Sequence, residues 1–221
     1  LNAKSTVSAA HEEDSSSAND KLFVQQIRQT FAGVYEITLS AGSAFFLREE
    51  YLSHVKAENL CARQEISDEE YCDLLGASVI FAAENAAMTY LSRAEHSRRG
   101  LEKKLLAKGI EKSAVESALN FLEGNGSLSD LRFSGAWLRN RAIDHDEGRI
   151  RLSAELFLRG VSRENAVKAL DDFFRDNDEE EICRRAYKKI LKFKSDPEKI
   201  RASLMQKGFP LKMINKILRE N

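Results

Sequence analysis

Proline and glycine are scarce, with 2 and 11 among 221 residues, and a chain so poor in turn-formers does not suit a sandwich or barrel of many short strands. No HExxH, CxxC, glycine-rich phosphate loop or serine elbow occurs, so the common signatures of metalloprotease, redox, nucleotide and hydrolase sites are missing. Cys61, Cys72 and Cys183 are odd in number and irregularly spaced; they form no disulfide framework and fit reduced thiols in a cytosolic compartment. Gly76 to Leu91, nearly uncharged but interrupted by Glu84 and Asn85, falls short of a membrane span. Residues 1–20 are rich in Ser, Ala and acids, without a repeating apolar face or the charged start and apolar core of a signal peptide; they read as a disordered leader. The expectation is a soluble, cytoplasmic, monomeric protein that is not an enzyme and carries no cofactor or metal.

What the chain does have is helix-forming material. It is 43% hydrophobic and 31% charged, with Leu, Ala, Glu, Lys and Arg throughout, which favours helix. The net charge of −1 conceals a polarity. Residues 1–80 carry 6 Lys and Arg against 13 Asp and Glu, whereas the remaining 141 carry 28 against 22. A basic body behind an acidic front raises the prospect of a charged partner.

That body repeats. With Gly109, Gly160 and Gly208 in register, the segments LEKKLLAKG, LSAELFLRG and IRASLMQKG coincide. Leu101, Leu152 and Ile200 align, as do Leu105, Leu156 and Leu204, and the basic residues Lys108, Arg159 and Lys207. Beyond the glycines, Ile110, Val161 and Phe209 align, then Leu119, Leu170 and Leu218. The glycines lie 51 and 48 residues apart, a period typical of helical modules. Apolar residues four apart form one helix stripe, a basic residue suits the helix C-terminus, and glycine takes the left-handed conformation that ends it. A further helix precedes each pair, carrying Tyr90, then Trp137, then Tyr187, and Trp137 and Tyr187 are read as core anchors. The fold class is mainly α: three tandem three-helix repeats over 86–124, 125–174 and 175–221, forming an elongated body. Residues 21–85 form a small N-terminal portion with a β-hairpin.

The hairpin is placed in VYEITLSAGSAFFLRE, where alternation surrounds a Ser-Ala-Gly-Ser turn. REEYLSHV and ISDEEYCDLL read as helices, the second capped by Ser67 with Glu70. Ser127 with Asp130 looks like another capping box, Ser162 is a cap, Asp196 caps a helix opening at Pro197, and Pro210 suits a first turn. DHDEG, Asp144 to Gly148, could suggest a metal or hydrolytic cluster, but its place between helices favours a solvated acidic linker.

The stronger functional signal is basic. Arg98, Arg99 and Lys103 form one patch, Arg184, Arg185, Lys188 and Lys192 a second, and Arg139, Arg141, Arg149, Arg151 and Arg163 surround the middle module. These are the candidate residues for contact with phosphate or with carboxylates of another protein. Pairing with neighbouring Asp and Glu is the alternative. Aromatics are not interleaved as in a groove that stacks single-stranded bases.

YLSRAEHSRRGLEKKLLAKG, LEGNGSLSDLRFSGAWLRNR, GRIRLSAELFLRGV and IRASLMQKGFPLKMINKIL together resemble the successive motifs of the RecX regulatory proteins, over about residues 87–218. Arg93, Ser97 and Leu101 match the opening pattern, Asp130 and Phe133 the second, and Gly148, Leu156 and Gly160 the third; Gly100 departs from a usual glutamate. The resemblance implies a non-enzymatic modulator, chiefly an inhibitor, of the bacterial RecA recombinase. Such a protein lies in the groove of the RecA filament on single-stranded DNA and restrains ATP hydrolysis and strand exchange, in DNA repair, recombination and the SOS response. A weak direct contact with DNA would be compatible with that role; the alternatives are a direct nucleic-acid-binding helical repeat protein and a non-inhibitory protein-interaction scaffold.

Overall fold

Alternating apolar residues in Val34–Leu39 and Ala44–Arg48 fold as the hairpin that the sequence predicts, with Val34 opposite Arg48 and Thr38 opposite Ala44. The computed structural model describes residues 21–31, 33–42 and 44–220, and the leader expected over residues 1–20 lies outside the described residues. The hairpin is part of a four-stranded antiparallel sheet. A preceding strand β1 (Leu22–Phe31) pairs with β2 (Val34–Leu39), which pairs with β3 (Ala44–Arg48), and the short β4 (Glu65–Ile66) closes the other edge in the order β3-β2-β1-β4. One face packs Val24, Ile37, Leu39 and Leu47 against Leu60, Ile66, Leu74 and Ala77.

REEYLSHV is not the helix expected. A single 3-10 turn, Glu49–Tyr51, is followed by extended chain. The cause is Asp73: its carboxylate accepts from the backbone N–H groups of Ser53, His54 and Val55 at 2.8–3.1 Å. Donors spent on one carboxylate are unavailable to a helix.

Nine helices follow among the described residues, α1 (Asp68–Leu91), α2 (Arg98–Leu106), α3 (Lys112–Gly124), α4 (Asp130–Asp144), α5 (Arg149–Leu158), α6 (Arg163–Asp176), α7 (Glu179–Leu191), α8 (Pro197–Gln206) and α9 (Leu211–Glu220). They pack as three consecutive triplets. Ser67 and Glu70 cap α1 reciprocally as predicted. By length and composition alone, the 24 residues of α1 could cross a membrane. The helix packs against β3 and α3, and it carries a charge in its C-terminal half: Glu84 is buried, ion-paired with Arg48 at 2.6 Å and bonded by the Tyr51 hydroxyl at 2.8 Å. The Arg48 guanidinium also lies over the Phe121 ring of α3, 4.4 Å from its centroid, which ties sheet to helices.

The first triplet has its own core of Ala87, Leu101, Leu105, Val115, Leu119, Leu122 and Leu128. The second and third share one, from Leu138, Leu152, Leu156 and Leu170 to Ile182, Tyr187, Leu204 and Ile214. Trp137 and Leu218, expected inside, are partly buried against this shared core. The three repeat glycines all have positive φ, 79° at Gly109, 83° at Gly160 and 86° at Gly208. At each, the following N–H returns to a carbonyl one turn earlier: Ile110 to Leu105, Val161 to Leu156 and Phe209 to Leu204. This is the left-handed helix stop with its hydrophobic contact.

The same glycines join the triplets. The Ser97 hydroxyl caps α2 by accepting from the Gly100 N–H at 3.1 Å, and it donates to the Arg159 carbonyl at the end of α5 at 2.9 Å. One register later, the Gly148 N–H that opens α5 donates to the Lys207 carbonyl at the end of α8 at 2.9 Å, and the Ile150 N–H donates to the Gly208 carbonyl. The N–H groups of Arg98 and Arg149, equivalent residues, donate to Asp130 and Glu179, the first residues of α4 and α7. The unsatisfied donors of each second helix are thus filled by the next module. Asp130 serves this joint and not the predicted capping box; Ser129 caps α4 instead. Ser162 and Asp196 cap as predicted, Pro197 opens α8, and Pro210 immediately precedes α9.

Candidate functional site

Whether a basic side chain can meet a partner depends on whether its charge is already spent. Six of the twelve candidates are paired internally. Arg98 binds Glu123 at 2.5 Å and Asn120 at 2.7 Å, and its equivalent Arg149 binds Asp171 at 2.6 Å, so both fasten a second helix to the third helix of its triplet. Arg141 and Arg151 both bind Glu147, at 2.8 and 2.9 Å. Arg184 binds Glu180 and Glu220, and Arg185 binds Asp146 at 3.1 Å.

The DHDEG loop is therefore not a solvated linker. Asp146 and Glu147 are only 5% and 7% exposed. Burial alone would raise both carboxyls, but Lys189 and Arg185 around Asp146, and Arg141 and Arg151 around Glu147, outweigh it and hold both below the usual carboxylate range. The Lys207 ammonium also donates to the Asp146 carbonyl at 3.2 Å. A loop wedged between two modules has to exchange solvation for ion pairs. The described residues include no group of three or more His, Cys, Asp and Glu able to hold a metal.

Arg99, Lys103, Arg139, Arg163, Lys188 and Lys192 are exposed and have no ion-pair or hydrogen-bond partner among the described residues. Arg99 and Lys103 stand one turn apart on the outer face of α2, opposite the buried Leu101 and Leu105. Lys188 and Lys192 occupy the last turn of α7 and its C-cap. Arg163 opens α6, and Arg139 on α4 lines a groove with Glu95, Asp172 and Asp176. The twelve do not converge on one site; the unspent charge is divided among modules.

Some surface features are absent from a charge-based reading. Lys104 and Lys108 lie over the Tyr90 ring at 4.6 and 5.0 Å, and Arg159, in the register of Lys108, lies over Trp137 at 4.5 Å. These cations cover the aromatic anchors. In the middle module the outward positions are apolar: Ile150 is 61% exposed, Phe157 71% and Leu158 67%. The glycine register that aligns the repeats places Ile150 where α2 has Arg99 and Phe157 where it has Leu106.

Comparison with known proteins identifies this architecture. Residues 83–122 match the family model described as RecX, first three-helix domain, and residues 129–170 match RecX, second three-helix domain. The first segment covers the end of α1, α2 and most of α3, and the second covers α4, α5 and the first half of α6. A solved structure, the crystal structure of regulatory protein RecX, shares the fold with a TM-score of 0.72 over 90% of this chain and 99% of that one, at 20% identity. The crystal structure of RecX from Lactobacillus salivarius superposes with a TM-score of 0.56 over 65% of this chain and 97% of that one, at 25% identity. Among curated relatives, Regulatory protein RecX of Xanthomonas oryzae is 41% identical over 87 residues, 39% of this chain and 54% of that protein. Regulatory protein RecX of Treponema pallidum is 36% identical over 152 residues, 69% of this chain and 93% of its own length. A likeness of 36% identity that spans 93% of a relative, together with the two matched three-helix domains, makes this chain a member of the RecX family of regulatory proteins.

Proposed function

We propose that this protein modulates the RecA recombinase, chiefly as an inhibitor, by binding in the groove of its filament on single-stranded DNA and restraining ATP hydrolysis and strand exchange. Family membership supplies the regulatory role, and the observation that carries the binding mode is the pair Arg99 and Lys103, cations with no internal carboxylate on the outer face of a rigidly jointed helix. Successive modules joined end to end suit contact with successive protomers of a filament. The action is binding and not catalysis, it takes place in the cytoplasm where the recombinase works, and one copy of the chain suffices.

The test compares recombinase ATP hydrolysis on single-stranded DNA with and without the protein, alongside binding to the filament and to DNA alone. Strongest binding to the filament with slowed hydrolysis is the expected result. The double variant Arg99→Glu/Lys103→Glu should bind the filament more weakly with an unchanged circular-dichroism spectrum, because neither side chain supports the fold through an ion pair. Lys188→Glu/Lys192→Glu tests the second patch. Equal affinity for naked DNA, abolished by salt, would transfer the reading to direct nucleic-acid binding. Filament binding without slowed hydrolysis would favour a scaffold.

A further inference from the structure

The three second helices are strung end to end. The end of α5 abuts the start of α2, where a methyl group added at Gly160 would fall 2.5 Å from Arg99 Cβ. The end of α8 abuts the start of α5 through the Gly208 carbonyl and the Ile150 N–H. Reading outward-facing side chains along this line gives Met205 at the end of α8, then Ile150, Phe157 and Leu158 on α5, then Arg99, Lys103 and Leu106 on α2. The middle is apolar. The α2 end is cationic and unpaired.

We infer that this ridge is a protein-docking surface whose centre is Ile150 and Phe157 and whose rim is Arg99 and Lys103, and that it takes a face of the recombinase protomer, apolar at its centre and edged by carboxylates, rather than the DNA. The inference rests on the recombinase reading above and specifies its contact. Two observations select the occupant. Three large aliphatic and aromatic side chains on one helix, each more than 60% exposed, gain nothing from phosphates, which dominate nucleic-acid contact and are met by Lys, Arg and polar groups. An apolar centre bordered by Arg is instead the usual anatomy of a protein interface. The adjoining cations supply the charge complementarity. Arg98 and Arg149 at the same helix starts are neutralised by Glu123 and Asp171, while Arg99 and Lys103 are left for carboxylates outside the molecule. The repeat itself provides the control: α8 has Glu198 in the register of Ile150 and Ala202 in that of Ala154, so large apolar groups at the first outward position are a property of the middle module and not of the scaffold.

The experiment uses the full chain carrying a fluorescent label, with recombinase filaments assembled on single-stranded DNA in a non-hydrolysable ATP analogue and, separately, the same DNA alone. Ile150→Ser/Phe157→Ser is expected to weaken filament binding about tenfold or more, the scale of losing a central anchor, with DNA affinity unchanged. Phe157→Leu should retain most of the affinity, and the loss should persist at raised salt, where Arg99→Glu/Lys103→Glu loses its effect. Should the double variant unfold, Leu158→Ser, at a site 67% exposed, gives the same reading through a smaller loss. Filament binding equal to that of the unmodified protein would overturn the ridge and leave the recombinase reading standing. A parallel fall in affinity for naked DNA would also overturn it, by making the ridge a nucleic-acid contact. Failure of the unmodified protein to bind the filament would remove both.

Discussion

Leu105 and Leu156 occupy the same repeat position and are both fully buried, so replacing either with Ala should cost about 2–4 kcal/mol in denaturant unfolding. Arg48 is a different case. Arg48→Met strands the Glu84 carboxylate beneath the sheet, and the expected loss is about 3–5 kcal/mol, the scale of breaking one side of a buried pair. Arg48→Met/Glu84→Leu should lose less than the single change. The aliphatic positions were legible from spacing alone. The Arg48–Glu84 pair was not, because its members are 36 residues apart and no local pattern links them. The cysteines divide similarly: Cys61 and Cys72 are exposed, whereas Cys183 is buried and its thiol is pushed up to about 12, chiefly by burial. Alkylation of the folded protein should label the first two, with the third reacting only on unfolding, as mass spectrometry would read.

At the scale of the element, the repeat glycines share a conformation but not a setting. A methyl group at Gly109 meets nothing within 4 Å; at Gly160 it meets the Arg99 side chain, and at Gly208 the backbone of Arg151. Gly109→Ala should cost only the left-handed strain, about 1–2 kcal/mol. Gly160→Ala should cost more and Gly208→Ala most, since backbone yields less than side chain. Thermal unfolding of the three variants would establish the order. The helix stops were readable because glycine, a preceding basic residue and a following apolar residue act within one turn. The joints that distinguish the three glycines are contacts between modules, carried by main-chain atoms, and sequence register does not disclose them. β1 escaped for a related reason: in LFVQQIRQTF only Val24 is buried, so alternation is faint.

For the whole molecule, acid sensitivity centres on Asp146, which holds Arg185 and Lys189 of the third module, and on Glu147, which holds Arg141 and Arg151 within the second. Their folded pKa values are lowered, so their stabilisation is complete above the usual carboxylate range, near 4.5 for Glu147, and is lost as the pH falls through the lowered values. Asp146→Asn/Glu147→Gln should flatten this dependence below pH about 4.5, measured as the denaturant midpoint against pH. The repeated architecture was visible in the sequence, as were the candidate cations. Which cations are spent was not, because the buried acidic loop resembles an exposed linker until Arg141, Arg151, Arg185 and Lys189 close around it.

Pro197 stands in the register of Arg98 and Arg149, the two residues whose N–H groups receive a carboxylate from the following module. A proline has no such hydrogen to give, and Asp196 already satisfies the Glu198 N–H of its own helix. The start of α8 therefore has no counterpart of the N–H to carboxylate bond that Arg98 and Arg149 make to a following module, and the third register keeps the helix while giving up that hydrogen bond of the joint.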